Sequence, residues 1–206
     1  MGLFITFEGI DGAGKSTQLR QLAKMLGDHG CDVITTREPG GAPGAEEIRH
    51  LLVEGEPDRW SSKTEILLFT AARRDHVERV IEPALSAGKI VLCDRYLDST
   101  RAYQGAEDQR ALVDELHTLA IGLMPDVTLI FDMDPTTALA RADARRSAED
   151  RFERKGLAFQ QDLRERFRKI ARDEPDRCHL VDADADEQAV GERVWAAVQP
   201  LLATVS

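Results

Sequence analysis

LFITFEGIDGAGKSTQ, residues 3–18, carries three signals in a fixed order. Leu3 to Phe7 is a short apolar run of the kind a buried β-strand shows. Gly9-Ile10-Asp11-Gly12-Ala13-Gly14-Lys15-Ser16 fits the pattern G-x-x-x-x-G-K-[ST]. Leu19, Leu22, Ala23 and Leu26 then recur at helical spacing. Strand, glycine-rich turn and helix in that order are the context a phosphate-binding loop needs. Glycines let the backbone bend tightly and approach a ligand with no Cβ in the way. The turn aims successive N–H groups inward, and the helix adds its positive N-terminal end. Lys15 supplies a point charge for β- and γ-phosphates, and the Ser16 hydroxyl is placed for Mg²⁺.

Composition sets the class. The chain has 206 residues, 42% hydrophobic and 31% charged, which suits one α/β domain with a substantial core. The formal net charge of −10 argues against an exposed basic face for nucleic acid, so no nucleic-acid partner is expected. An anionic ligand remains compatible, since a phosphate site needs only local positive potential. Cys31, Cys93 and Cys178 lack metal-ligand spacing and read as reduced, packed thiols. MGLFITFEG has no positive leader region, and no apolar run approaches the ~18 residues of a membrane span. A cytoplasmic enzyme with no membrane partner is the expectation.

Strands are read near 3–7, 32–36, 90–94, 127–132 and 178–181. Helices are read near 15–27, 43–53, 63–73, 75–87, 107–122, 135–145, 157–173 and 186–203. This alternation predicts a parallel sheet with helices on both faces. No repeat, linker or low-complexity tract divides the chain.

Several stretches then carry candidate chemistry. Arg37, in TREPGG, lies at the carboxyl end of the second strand, where such sheets gather ligands. Taken alone, it reads first as a surface arginine in a polar turn. Phe69 and Arg73 are four apart and share a helix face, suited to stacking on and hydrogen-bonding a planar base, or to the core. Asp94 ends a buried strand and is the preferred carboxylate for Mg²⁺ over Asp132, because Arg95 beside it also suits an anionic substrate. Ser99, Tyr103, Gln104 and Gly105 follow in a polar, turn-rich stretch that could bind a base or sugar, or cap helices. The run from Arg141 to Gly156 is arginine-dense. It reads as a solvated charged helix or as a lid carrying arginines over the transferring phosphates. The five histidines show no pairing or metal spacing and read as structural or surface, and Trp195 reads as packing.

FEGIDGAGKSTQ, TREPGG, LLFTAARRDHVE, DRYLDSTRAYQG, PDVTLIFD and DRFE, in this order, resemble the thymidylate kinase family over residues 3–182. The resemblance implies phosphoryl transfer from ATP to dTMP, dependent on Mg²⁺, in dTTP synthesis. It implies the three-layer P-loop nucleoside-monophosphate kinase fold, a five-stranded parallel sheet in the order 2-3-1-4-5, across a single domain 1–206. It also implies a homodimer.

By the same resemblance ATP is held by Gly9, Ile10, Asp11, Gly12, Ala13, Gly14, Lys15, Ser16 and Thr17. Asp11 meets the sugar 3′-OH of dTMP, and Arg37 and Arg95 hold its phosphate. Phe69 stacks on thymine, Arg73 bonds its O4, and Ser99 and Gln104 lie along the base. Tyr103 crowds the 2′ position, and Asp94 and Ser16 serve Mg²⁺. A cis Glu38–Pro39 bond is compatible with the family, though sequence does not show it.

Some members carry an arginine inside the P-loop; here positions 10–13 are Ile, Asp, Gly and Ala. The lid, about 141–156, then supplies the charge as in bacterial-type members, from Arg151, Arg145 or Arg146, with Arg151 in DRFE the first choice. Residues 153–159, ERKGLAF, depart from the family's more acidic segment, and Phe167 stands where Tyr is common. A kinase for another pyrimidine monophosphate, or a P-loop ATPase or nucleotide-binding scaffold, is the alternative reading. A GTPase is excluded by the absence of a guanine-reading Asn-Lys-x-Asp.

Overall fold

A computed structural model describes residues 2–56, 58–105, 109–143 and 156–202. Five strands form one parallel sheet: β1 (Leu3–Gly9), β2 (Val33–Arg37), β3 (Ile90–Asp94), β4 (Val127–Asp132) and β5 (Cys178–Asp182). Their order is β2-β3-β1-β4-β5, as the resemblance implied. Every residue of β1 is buried, and β3 and β4 are buried but for their last carboxylates. Central strands covered on both faces need such continuous apolar runs, while the edges β2 and β5 expose part of theirs.

Strand parity assigns the two faces. Leu3, Ile5 and Phe7 of β1, with Ile90 and Leu92 of β3, pack under α1 (Lys15–Asp28), α8 (Gly156–Asp173) and α9 (Glu187–Leu202). Phe4, Val91 and Cys93 face the other way, toward α3 (Ser62–His76) and α6 (Arg110–Ala120). Thr6 and Glu8 share the parity of Phe4, so a hydroxyl and a carboxylate lie buried within the sheet. Thr6 finds Thr128 Oγ1 at 2.7 Å. Two further helices, α2 (Pro43–Val53) and α7 (Pro135–Asp143), border the carboxyl ends of the strands. Trp195 is partly buried against the first core, in keeping with a packing role.

Two readings need correction. The helices expected at 63–73 and 75–87 form one continuous run: α3, a π-helical turn over Val77–Ile81, and α4 (Glu82–Ser86). Pro83 lacks an N–H and crowds the preceding turn, and a widened turn ahead of it accommodates both. The stretch read as polar turn contains a helix, α5 (Leu97–Tyr103). Its buried residues include Asp98, Ser99, Thr100 and Arg101, so no apolar period marks it.

Ion pairs secure α5 in place of an apolar face. Asp98 accepts from Arg101 Nη1 at 2.9 Å and from both terminal nitrogens of Arg177 at 2.8 and 3.1 Å. Arg101 also reaches Asp114 of α6 at 2.7 Å and Glu174 at 2.9 Å. Burial works against the Asp98 carboxylate, yet the Arg177 hydrogen bonds and the two arginine charges hold it below its ordinary range.

Candidate active site

The P-loop curls from β1 into α1 against α7. A Cβ on Gly12, at φ 83°, would lie 2.0 Å from the Ala138 carbonyl oxygen, so a glycine is required there. Ile10 and Ala13 turn their side chains into the core, leaving backbone toward the loop's hollow. Lys15 is buried, its ammonium donating to the carbonyls of Ile10 at 2.8 Å and Gly9 at 3.1 Å. Burial and the nearby Arg95 charge depress it to about 8, against the pull of Asp11, Asp94 and Glu8.

Arg95 follows the tip of β3 with φ 68°, the one non-glycine residue with positive φ among those described. Such a conformation costs on the order of 1–3 kcal/mol and persists only where its surroundings enforce it. Here the Arg95 N–H donates to the Phe7 carbonyl at 2.9 Å, and the Tyr96 N–H donates to Glu8 Oε1 at 2.7 Å. The side chain is thereby turned back over the P-loop. It donates to the Gly9 carbonyl at 3.1 Å, to Ser99 Oγ at 2.9 Å, and to Asp11 and Tyr103. Asp11 also accepts the Tyr103 hydroxyl at 3.0 Å. Burial opposes ionisation of Asp11, but Arg95 and Lys15 outweigh it and hold the carboxyl near 2.

Glu8 was not singled out by sequence, yet it underlies this arrangement. Its Oε2 accepts the Ser99 hydroxyl at 2.5 Å, and Ser99 in turn accepts Arg95. Burial, then the charge of Asp98, pushes its carboxyl up to about 7. A lone Glu before a glycine turn gives no pattern signal, because its role depends on β1 parity and on α5.

Register sets Arg37 of β2 level with Asp94 of β3, and Phe7 of β1 level with the same Asp94. Asp94 Oδ2 accepts the Ser16 hydroxyl at 2.5 Å. Ser16, Asp94, Arg37, Arg20, Thr36 and Glu46 line a cleft of about 640 Å³. Arg37 pairs with Glu46 at 3.1 Å in an exposed bridge, which binds it only weakly. Asp132, the other candidate carboxylate, is taken up on both oxygens by Arg164 at 2.5 and 3.1 Å and by Arg168 at 2.7 and 3.1 Å. Two hard oxygen donors facing one cleft suit Mg²⁺, which binds through one or two protein oxygens plus phosphate and water.

On α3, Phe69 is half-buried, and Arg73 is 2% exposed. Arg73 Nε donates to Glu38 Oε2 at 2.7 Å, Nη2 to Thr100 Oγ1 at 3.0 Å, and the guanidinium lies 4.8 Å over the Tyr96 ring. Burial opposes the Glu38 charge, but Arg73 and His76 keep it below the ordinary carboxylate range. His76 is fully buried and paired with Glu38, a structural histidine and not a surface one. Gln104 donates to Glu65 at 3.2 Å, while its Oε1 is buried without a donor among the described residues. The Glu38–Pro39 bond is cis. The lid, including Arg145, Arg146 and Arg151, lies almost entirely outside the described residues.

Residues 7–194 match the thymidylate kinase family model. The chain belongs to the thymidylate kinase family. A thymidylate kinase of Jannaschia sp. (strain CCS1) is 60% identical over 203 residues, covering 98% of each chain. That of Caulobacter vibrioides is 58% identical over 193 residues, covering 92% of each. The crystal structure of thymidylate kinase from Ehrlichia chaffeensis superposes with a TM-score of 0.77 at 37% identity, covering 96% of this chain and 98% of that one. The family's fold, the P-loop nucleoside-monophosphate kinase fold, agrees with the sheet order and flanking helices described above.

Proposed function

We propose that the protein transfers the γ-phosphoryl group of ATP to dTMP, giving ADP and dTDP, as a step in dTTP synthesis. The observation that carries this reading is the meeting of Lys15, Asp11, Arg95, Ser99 and Tyr103 at the carboxyl ends of β1 and β3. Thymidylate kinases about 60% identical over nearly the whole chain support the same substrate pair.

The division of labour follows from the chemistry. The P-loop backbone, residues 9–17, cradles the donor phosphates, and Lys15 leaves its loop carbonyls to meet them. Arg95 and Arg37 hold the acceptor phosphate; a guanidinium suits that task because it is always charged and bidentate. Asp11 takes the sugar 3′-OH, and Tyr103 crowds the 2′ position. Phe69 stacks on the base, Arg73 donates to O4, and Ser99 and Gln104 lie along it. The buried Gln104 Oε1 is an acceptor lacking a donor, which a base N3–H supplies.

The acceptor is already a dianion at neutral pH, so no side-chain base is needed. Catalysis is alignment and charge neutralisation. Ser16 and Asp94, hydrogen-bonded to each other at the cleft, are the residues that would hold Mg²⁺, which would supply positive charge to the donor phosphate oxygens. A lid arginine, Arg151 before Arg145 or Arg146, adds the charge that this P-loop lacks. A single domain 1–206, a homodimer and a cytoplasmic location complete the reading on family likeness; no described helix is long and apolar enough to cross a membrane.

Product analysis tests it. Incubation of ATP, dTMP and Mg²⁺ with the enzyme should yield dTDP and ADP in equal amounts, and chelation of the metal should stop both. ADP formed without dTDP would contradict the reading and restore the ATPase alternative.

A further inference from the structure

His76 lies on α3 three residues beyond Arg73 and seven beyond Phe69, so ring, guanidinium and imidazole share one helix face. Its Nδ1 is 3.0 Å from Glu38 Oε1, and its Nε2 is 2.7 Å from Thr36 Oγ1. Glu38 gives its other oxygen to Arg73 Nε at 2.7 Å, and Arg73 Nη2 donates to Thr100 Oγ1 at 3.0 Å. Thr36, His76, Glu38, Arg73 and Thr100 thus form one unbroken chain of hydrogen bonds from the end of β2 across α3 to α5. An ionised Glu38 only accepts, so Nδ1 carries a hydrogen in either charge state of the ring. The loop after β2 closes over the imidazole. A Cβ on Gly41, at φ 87°, would lie 2.4 Å from His76 Nε2 and 2.6 Å from Thr36 Oγ1.

We infer that His76 is a positioning residue for base selection, its Nδ1–H fixing Glu38 so that Glu38 locks the Arg73 guanidinium in one orientation toward the acceptor base. The inference rests on the reading above in which Arg73 meets the base. A guanidinium offers donors only. Locked in place, it accepts a pyrimidine whose 4-position carries an oxygen and opposes one whose 4-position carries an amino group, because donor then faces donor. A guanidinium free to swing loses that opposition. The selectivity is built behind two intervening residues, Arg73 and Glu38, in a histidine that need not touch the nucleotide.

The test compares wild type, His76→Leu and His76→Asn, with the Asn amide able to replace the Nδ1–H donor. Binding of dTMP and dCMP is measured by calorimetry and kcat at saturating dTMP by ADP release. His76→Leu should weaken dTMP binding roughly tenfold, the worth of a hydrogen bond to a charged group. It should lower the dTMP-to-dCMP preference by a similar factor and leave kcat nearly unchanged, while His76→Asn should restore most of the preference. An unaltered preference in folded His76→Leu, or a loss confined to kcat or thermal stability, would overturn the inference while leaving the proposed function standing. A wild-type enzyme that ignores dTMP would overturn both. Should His76→Leu fail to fold, His76→Phe, which keeps a ring but lacks the Nδ1–H, decides by the same binding measurements: an unaltered dTMP-to-dCMP preference sinks the inference, and a lowered preference with kcat nearly unchanged upholds it.

Discussion

Replacing Glu8 by glutamine should change how stability depends on pH, with a sign set by the burial of its carboxyl beside Asp98. Glu8 is fully buried, with its carboxyl pushed from an ordinary 4.5 up to about 7 by burial and by the charge of Asp98. Between these values the folded state binds a proton that the unfolded state has released. Stability from this group is therefore fully present below pH 4.5 and is lost as pH rises through 7. At 1.36 kcal/mol per unit, that displacement amounts to about 3 kcal/mol over the whole interval. Glutamine cannot titrate, so Glu8→Gln lacks the loss. It carries a constant penalty instead, because its NH2 group replaces one of the two oxygens that separately accept the Tyr96 N–H and the Ser99 hydroxyl.

Urea unfolding of both proteins at intervals from pH 5 to 8 isolates the term, since other titrations largely cancel in the difference. The stability of wild type relative to Glu8→Gln should fall with pH, most steeply near 1.4 kcal/mol per unit. A difference that stays flat across the range would refute the claim that Glu8 is held as a buried, desolvated carboxyl.

Three substitutions probe the chemistry. Lys15→Ala should lower kcat by about 10²–10³ or more, as expected for loss of a preorganised charge at the transferring phosphate; near-normal turnover in the ADP assay would disprove its role. Arg151→Ala should reduce kcat by about 10³ with little change in dTMP affinity, because a lid charge acts mainly in the transition state. An unchanged kcat would transfer the role to Arg145 or Arg146. Tyr103→Ala should erode the preference for dTMP over its ribose analogue by about tenfold, and an intact preference would rule out steric exclusion at the 2′ position.

What sequence could and could not reveal follows from where the signals lie. The P-loop and the central strands were legible because their constraints are local: glycines at a turn, then apolar residues at fixed periods. Asp94 and Asp132 are both strand-tip carboxylates, and sequence favoured Asp94 only through the neighbouring Arg95. The fold separates them further, with Ser16 beside one and two arginines of α8 closed on the other. Helix α5 was illegible because its buried face is polar, and the groups that satisfy it, Asp114, Glu174 and Arg177, are distant in sequence. Glu8, Glu38 and His76 escaped notice for the same reason. Each is an ordinary charged or titratable residue until a partner on another element closes on it. The residue assignments for base and sugar came from family resemblance, and the structure adds the contacts that connect them.

The most direct measurement is ADP release with ATP and Mg²⁺ against dTMP, dUMP, UMP, CMP, AMP and GMP in parallel. The account predicts rapid turnover with dTMP, weaker turnover with dUMP and little with the others. Faster turnover with a different monophosphate would preserve the P-loop chemistry but contradict the roles given to Phe69, Arg73 and Tyr103. Turnover that no monophosphate accelerates would contradict the account as a whole.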